Sequence, residues 1–319
     1  MKDVIVDSEG TVWKYNGDSF EPFWGLRDCS FLAFSPNRSF GVAVCHGEVF
    51  GWGDNKEGQL SGGLYSRYEI PTKVYKLKNI VSVSCAEAFI LALDGDGVVW
   101  GCGDNCVNQL GEGNLTIYTP KPVHQNILPP IKHVRGFGRE RSYAFDLENN
   151  CWTWGGKDAP IEPRNNFGWP FTPIDISVSL ITGYIRANVV YLLDSEGNIW
   201  DYSSHSTQIS PVATNIKQIE FFAENQYHNS YFLLLDQAGT VWKKKPSDCN
   251  SNLLEMKFPE PVIEIIGDYL LISEESGWLR TEKNRKSALV MHGFSYEKID
   301  FPFKISRKHE TVKKSARKI

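Results

Sequence analysis

One phrase recurs along the chain: an apolar run, an acidic turn that usually ends in Gly, one residue, a branched apolar residue and an aromatic. It reads DSEGTVW (7–13), CHGEVF (45–50), DGDGVVW (94–100), DLENNCW (146–152), DSEGNIW (194–200) and DQAGTVW (236–242). A degenerate seventh copy is EESGWLR (274–280). The copies recur about every 44 residues, the period of a four-stranded propeller blade. Each phrase is a hairpin in itself: Phe89–Leu93 is apolar, Asp-Gly-Asp-Gly turns, and Val98–Trp100 returns. Such a turn needs short polar residues that bond their own backbone and a Gly where φ must be positive.

A further apolar strand precedes most hairpins: Ile80–Cys85, Ile131–Phe137, Ile174–Ile181, Ile216–Phe222 and Val262–Ile266. Neither helical spacing nor capping boxes separate them, and aromatics at 13% suit pleated surfaces. The expected fold is all-β, a seven-bladed β-propeller of four-stranded blades. The chain opens on a hairpin, Val4–Asp7 and Thr11–Tyr15, without the strand that should precede it. Tyr296–Ile305 reads as that strand, so the ring is expected to close by pairing the C-terminal strand with the N-terminal hairpin, leaving no open edge. Residues 1–305 are then one propeller and 306–319 a basic tail.

No apolar run approaches the ~20 residues of a membrane helix, and MKDVIVDSEG has acids where a secretory signal has its apolar stretch. The seven Cys (29, 45, 85, 102, 106, 151, 249) are scattered and odd in number, which reads as buried free thiols in a reducing, intracellular compartment, cytoplasm or nucleus. Cys102 and Cys106 have half-site spacing, but no second pair completes a metal site. From Lys304 onward the chain holds seven Lys/Arg and one Glu, enough charge for nucleic acid, anionic lipid or an import receptor, or for a solubilising end.

Two repeats carry more than the phrase. GEVFGWGDNKEGQLSGG (47–63) and GVVWGCGDNCVNQLGEG (97–113) share aromatic-Gly-x-Gly-Asp-Asn, then Gln-Leu and Gly. CWTWGG (151–156) is a partial copy. This pattern resembles the regulator of chromosome condensation (RCC1) repeat, and with the count of seven the resemblance covers essentially the whole chain. The resemblance implies a propeller that binds a small GTPase, Ran above all, and promotes guanine-nucleotide exchange, in eukaryotic proteins or in bacterial effectors acting inside a host cell. The chain departs from the family where His-Thr or His-Ser usually starts the second strand of each blade. Here those positions are Phe40, Phe89, Arg141, Val189, Tyr231 and Tyr269.

Signatures of covalent or metal catalysis are absent: no G-x-S-x-G, no phosphate loop, no H-E-x-x-H, and seven mutually isolated His. No cofactor, metal or catalytic residue is expected, and any activity would be nucleotide exchange. Recognition remains, and it belongs on loops. The connection Lys157–Pro173 abandons the repeat and combines four Pro with Lys157, Asp158, Arg164, Phe167 and Trp169. It is either a cover over one end of the ring or a partner-binding wedge, and by position it resembles the family's blade-three insertion that contacts Ran. A second surface is formed by the short loops before the first strand of each hairpin, with Glu87, Arg139, Glu140, Arg141, Arg186, Asn188, His228 and Asp268. These residues are a solvated rim or a grip on a GTPase, Glu87 matching an acidic family position. The alternative is a monomeric interaction scaffold that binds a GTPase or another protein without exchange activity.

Overall fold

The computed structural model describes residues 4–16, 19–62, 66–111, 115–123, 127–148, 151–155, 162–163, 178–184, 189–194, 196–202, 211–223, 230–244, 253–258, 260–266, 269–273, 277–281 and 296–299. Among them there are strands and turns and no helix. The first sheet holds β1 (Val4–Val6), β2 (Val12–Tyr15) and β3 (Phe20–Pro22). The second holds β4 (Cys29–Phe34), β5 (Phe40–Cys45), β6 (Glu48–Asp54) and β7 (Arg67–Lys73). The third holds β8 (Ile80–Cys85), β9 (Phe89–Asp94), β10 (Val99–Gly103) and β11 (Ile117–Pro122). The fourth holds β12 (Ile131–Phe137), β13 (Arg141–Asp146), β14 (Cys151–Trp154) and β15 (Glu162–Pro163).

The fifth holds β16 (Val178–Tyr184), β17 (Val189–Asp194), β18 (Ile199–Tyr202) and β19 (Pro211–Ala213). The sixth holds β20 (Ile216–Ala223), β21 (Ser230–Asp236), β22 (Val241–Lys244) and β23 (Leu254–Met256). The last holds β24 (Glu264–Ile266), β25 (Tyr269–Ser273), β26 (Gly277–Thr281) and β27 (Tyr296–Ile299). Each is an antiparallel meander in chain order, and the architecture is an all-β propeller.

The apolar runs acquire their meaning from packing on both faces of a sheet. In β9, Ile90 and Ala92 pack toward the second sheet with Val42 and Val44, while Phe89, Leu91 and Leu93 pack toward the fourth with Ala144 and Trp154. In β21, Phe232 and Leu234 join Tyr191 and Leu193 of the fifth sheet, while Leu233 and Leu235 join Val262 and Ile265 of the last. Side chains alternate across a strand, so a strand buried on both faces needs apolar residues at successive positions.

The turn phrase is equally explicit. Asp94 Oδ1 accepts the backbone N–H of Asp96 at 3.1 Å and of Val98 at 2.8 Å, and Oδ2 accepts Trp100 Nε1 at 2.9 Å. The turn glycine serves the next sheet: the Gly97 carbonyl accepts the Ile131 N–H at 2.9 Å, as Gly10 does from Cys29, Gly47 from Ile80, Gly197 from Ile216 and Gly239 from Val262. At Gly97 φ is +81° and a Cβ would stand 2.9 Å from the Ile131 nitrogen, so no other residue fits without movement.

Two expectations are corrected. Tyr296–Ile299 pairs with Gly277–Thr281 as the outer strand of the last sheet, not with the N-terminal hairpin. Residues 300–305 of the expected closing strand, and the tail 306–319, lie outside the described residues. Among the described residues the first sheet has three strands, and β1 and β2 match the second and third strands elsewhere, since they flank the turn phrase. Cys29 and Cys45 are not free thiols but a disulfide joining directly opposed positions of β4 and β5. Cys85 and Cys102 are buried free thiols as expected, and Cys106 is free and exposed.

Candidate partner-binding face

In a meander the first-to-second and third-to-fourth connections fall at one end of the sheet, and the central turn at the other. The short loops after β4, β8 and β12 therefore share an end with the long loops after β6 and β10. Contacts between neighbouring sheets confirm the common end: the Glu87 N–H donates to the Gly138 carbonyl at 2.8 Å. Over the described residues these short and long loops thus form one face; the Lys157–Pro173 connection, apart from Glu162 and Pro163, lies outside the described residues.

The Gly-Asp-Asn…Gln-Leu motif builds the long loops of that face. Asn55 Oδ1 accepts the Leu60 N–H at 2.8 Å and Gln59 Oε1 accepts the Glu57 N–H at 3.0 Å. The next repeat copies both, with Asn105 to Leu110 at 2.7 Å and Gln109 to Val107 at 3.0 Å. The buried amides replace water for a loop that carries little regular pairing of its own. Leu60 and Leu110 then fold back over Gly51 and Gly101, where a Cβ would come within 2.6 Å and 2.9 Å of their methyl groups. Gln109 also reaches the fourth sheet: Nε2 donates to the Arg139 carbonyl at 2.8 Å, and its carbonyl accepts Ser142 Oγ at 2.6 Å and Trp154 Nε1 at 2.9 Å.

On this frame Arg139 is the hub of a charged cluster. Its Nη2 lies 3.3 Å from Glu57 Oε1 and 3.7 Å from Asp104 Oδ2. Its guanidinium also acts on Glu87 and Cys106. Burial pushes the half-buried Glu87 carboxyl up, and Arg139 opposes that only in part. Partial desolvation and the Asp104 carboxylate, whose Oδ2 it faces at 3.6 Å, raise the exposed Cys106 thiol, and Arg139 opposes them. Burial likewise pushes the Cys102 thiol up to about 12, and its S–H faces the Gly58 and Ile117 carbonyls at 3.1 Å. The cluster offers a planar fork donor beside carboxylate acceptors, a surface suited to recognition by charge.

Of the anticipated residues, Glu87, Arg139, Glu140 and Arg141 come together here, the last two exposed beside Arg139. Lys157, Asp158, Arg164, Phe167, Trp169, Arg186, Asn188, His228 and Asp268 lie outside the described residues. Sequence reasoning missed Glu57, Asp104 and Gln109. The signal was present, since all three sit inside the two motif copies (53–60 and 103–110), but Glu57 and Arg139 are 82 residues apart. Among the described residues no group of three His, Cys, Asp or Glu could hold a metal ion.

Comparison with known proteins gives one family model, the regulator of chromosome condensation (RCC1) repeat, matching residues 46–93. The chain is 32% identical over 186 residues to the human protein named probable E3 ubiquitin-protein ligase HERC6, covering 55% of this chain and 18% of that protein. It is 35% identical over 118 residues to human Protein RCC2, covering 36% of this chain and 22% of RCC2. The alignments thus span under a quarter of either relative's length. Among solved structures, Prp20p from Saccharomyces cerevisiae superposes with a TM-score of 0.58 at 16% identity, over 81% of this chain and 76% of Prp20p. Human WBSCR16 superposes with a TM-score of 0.52 over 68% and 66%. At such identity these two likenesses speak for the fold.

Proposed function

The chain belongs to the RCC1-like repeat family, and from that premise we propose that it binds a small GTPase of the Ran type and promotes release of its guanine nucleotide. The seven sheets would form one ring of blades over residues 1–305, followed by a basic extension at 306–319. The observation that carries the reading is the Arg139 cluster, which draws Glu57, Glu87 and Asp104 from loops of the second and third sheets onto one face. Prp20p, which shares the fold, binds Gsp1p and histones.

The mechanism is linkage. A surface that prefers the nucleotide-free GTPase weakens nucleotide binding by the same factor. A ~10⁴-fold acceleration corresponds to roughly 5.5 kcal/mol of preferential interaction in the exchange transition state. The test is release of a fluorescent guanine nucleotide from Ran, with Rho- and Rap-type GTPases in parallel. Acceleration of Ran alone, lost on Arg139→Glu or on deleting residues 157–169, supports the reading. No acceleration of any of them by the folded protein overturns it.

One observation favours a second reading, a scaffold that binds without exchange. Phe40 and Phe89, which stand where the family pattern has His, are fully buried. Phe40 packs with Val42 and Val44, and Phe89 with Leu91 and Trp154, and neither side chain offers a polar group to a partner. Capture of the GTPase with unchanged nucleotide release would identify this case.

A further inference from the structure

The second sheet breaks a rule that the third to sixth sheets obey. In those four sheets the opening aliphatic residue of the inner strand faces the turn aspartate across the sheet: Ile80 and Asp94, Ile131 and Asp146, Val178 and Asp194, Ile216 and Asp236. In the second sheet those two positions are Cys29 and Cys45, and they are joined. The turn is also one residue shorter. Val44 pairs with Val49 and Cys45 with Glu48, leaving His46 and Gly47 as a two-residue turn with φ of 52° and 73°. Phe50, whose ring has no N–H, stands where five of the other phrases have Trp. No carboxylate–indole clasp is available to this hairpin.

The site is a junction between three sheets. The Cys29 N–H donates to the Gly10 carbonyl of the first sheet at 2.9 Å, and the Gly47 carbonyl accepts the Ile80 N–H of the third at 2.9 Å. Beside the disulfide the His46 N–H faces the Asp28 carbonyl at 3.3 Å, and His46 Nε2 lies 3.2 Å from Asp28 Oδ2. That contact is exposed on both sides and contributes little by itself.

We propose that Cys29–Cys45 is a redox-responsive latch that does in the second sheet what the Asp–Trp clasp does elsewhere. Oxidised, it fixes the short turn and the junction built on it. Reduced, this hairpin alone among those with a described turn has neither clasp nor covalent tie. The reductant is a dithiol. One of its thiolates attacks a cysteine sulfur, the Cys29–Cys45 bond breaks, and the released thiolate takes a proton. The second reductant thiol then closes a ring and displaces the other cysteine as a thiol. Two electrons pass to the protein, leaving two protein thiols and one cyclic disulfide. Both cysteines are buried, at 4% exposure, so attack follows local opening of the turn.

The experiment is amide hydrogen exchange on the full chain, oxidised and then reduced with dithiothreitol. Exchange across residues 46–50 is expected to rise at least tenfold on reduction, with residues 94–100 unchanged. A Cys29→Val, Cys45→Ser double variant should show the faster exchange with or without the dithiol, and remain folded, since Val178 holds the equivalent position in the fifth sheet. Unchanged exchange at 46–50 on reduction overturns the proposal. So does alkylation of both cysteines in protein equilibrated with oxidised glutathione, or unfolding of the entire chain on reduction.

Discussion

Trp100 Nε1 donates to Asp94 Oδ2 at 2.9 Å, and the same bond joins residues six apart at Trp13 and Asp7, Trp152 and Asp146, Trp200 and Asp194, and Trp242 and Asp236. One carboxylate thereby closes the turn backbone and pins the aromatic ring across it. Trp100→Phe keeps the ring and removes the donor, for an expected loss of about 1–2 kcal/mol. Asp94→Ala removes three bonds and should cost more. Urea unfolding of the two variants gives the order, and equal losses would contradict the clasp.

The clasp makes stability depend on acid. Burial pushes the Asp194 and Asp236 carboxyls up, but the indole and turn N–H bonds outweigh it and hold both below the ordinary 3.8. The unfolded chain therefore binds these protons first as pH falls. The contribution is complete above the unfolded value and is lost as pH drops through the lower folded value. Unfolding free energies should fall below about pH 4, and a Trp200→Phe, Trp242→Phe double variant should show a shallower fall.

Gly97 and Gly25 both have positive φ, but only Gly97 faces a neighbour. A Cβ at Gly97 meets the Ile131 nitrogen at 2.9 Å, whereas at Gly25 nothing lies within 4 Å. Gly25→Ala should cost about 1 kcal/mol from backbone conformation alone. Gly97→Ala should exceed it by a further 1 kcal/mol or about that, because the inter-sheet bond must also lengthen. Thermal denaturation of the pair checks the difference.

His46 occupies the first position of a two-residue turn with both residues left-handed, where Asn is preferred. His46→Asn should stabilise the protein by about 0.5 kcal/mol, since the Asp28 pair it gives up is exposed on both sides, at 72% and 63%. A lower melting temperature would show that the Asp28 contact outweighs the turn.

Arg139 separates binding from folding. Its side chain is 53% exposed and its partner Glu57 40%, so Arg139→Glu should leave stability within about 1 kcal/mol. The same change should weaken capture of the GTPase at least tenfold. Equal binding by the variant would remove this cluster from the interface.

The sequence determined the local units of this protein. Ile80–Cys85 and Ile131–Phe137 are strands with the bounds their apolar pattern gives, and the Asp-to-Trp phrase closes on itself within seven residues. Such features rest on side-chain alternation and on short polar groups that bond their own backbone, both of which act over a few residues. Tertiary structure decided what those units meet. The Gly97 carbonyl receives a donor from Ile131, Arg139 finds Glu57 across 82 residues, and Cys29 opposes Cys45 through strand register. Tyr296–Ile299 could have joined either end of the chain by its pattern, and it completes the last sheet instead of the first. An apolar strand fits any open sheet edge equally well, and only the packing of whole sheets selects which edge it takes.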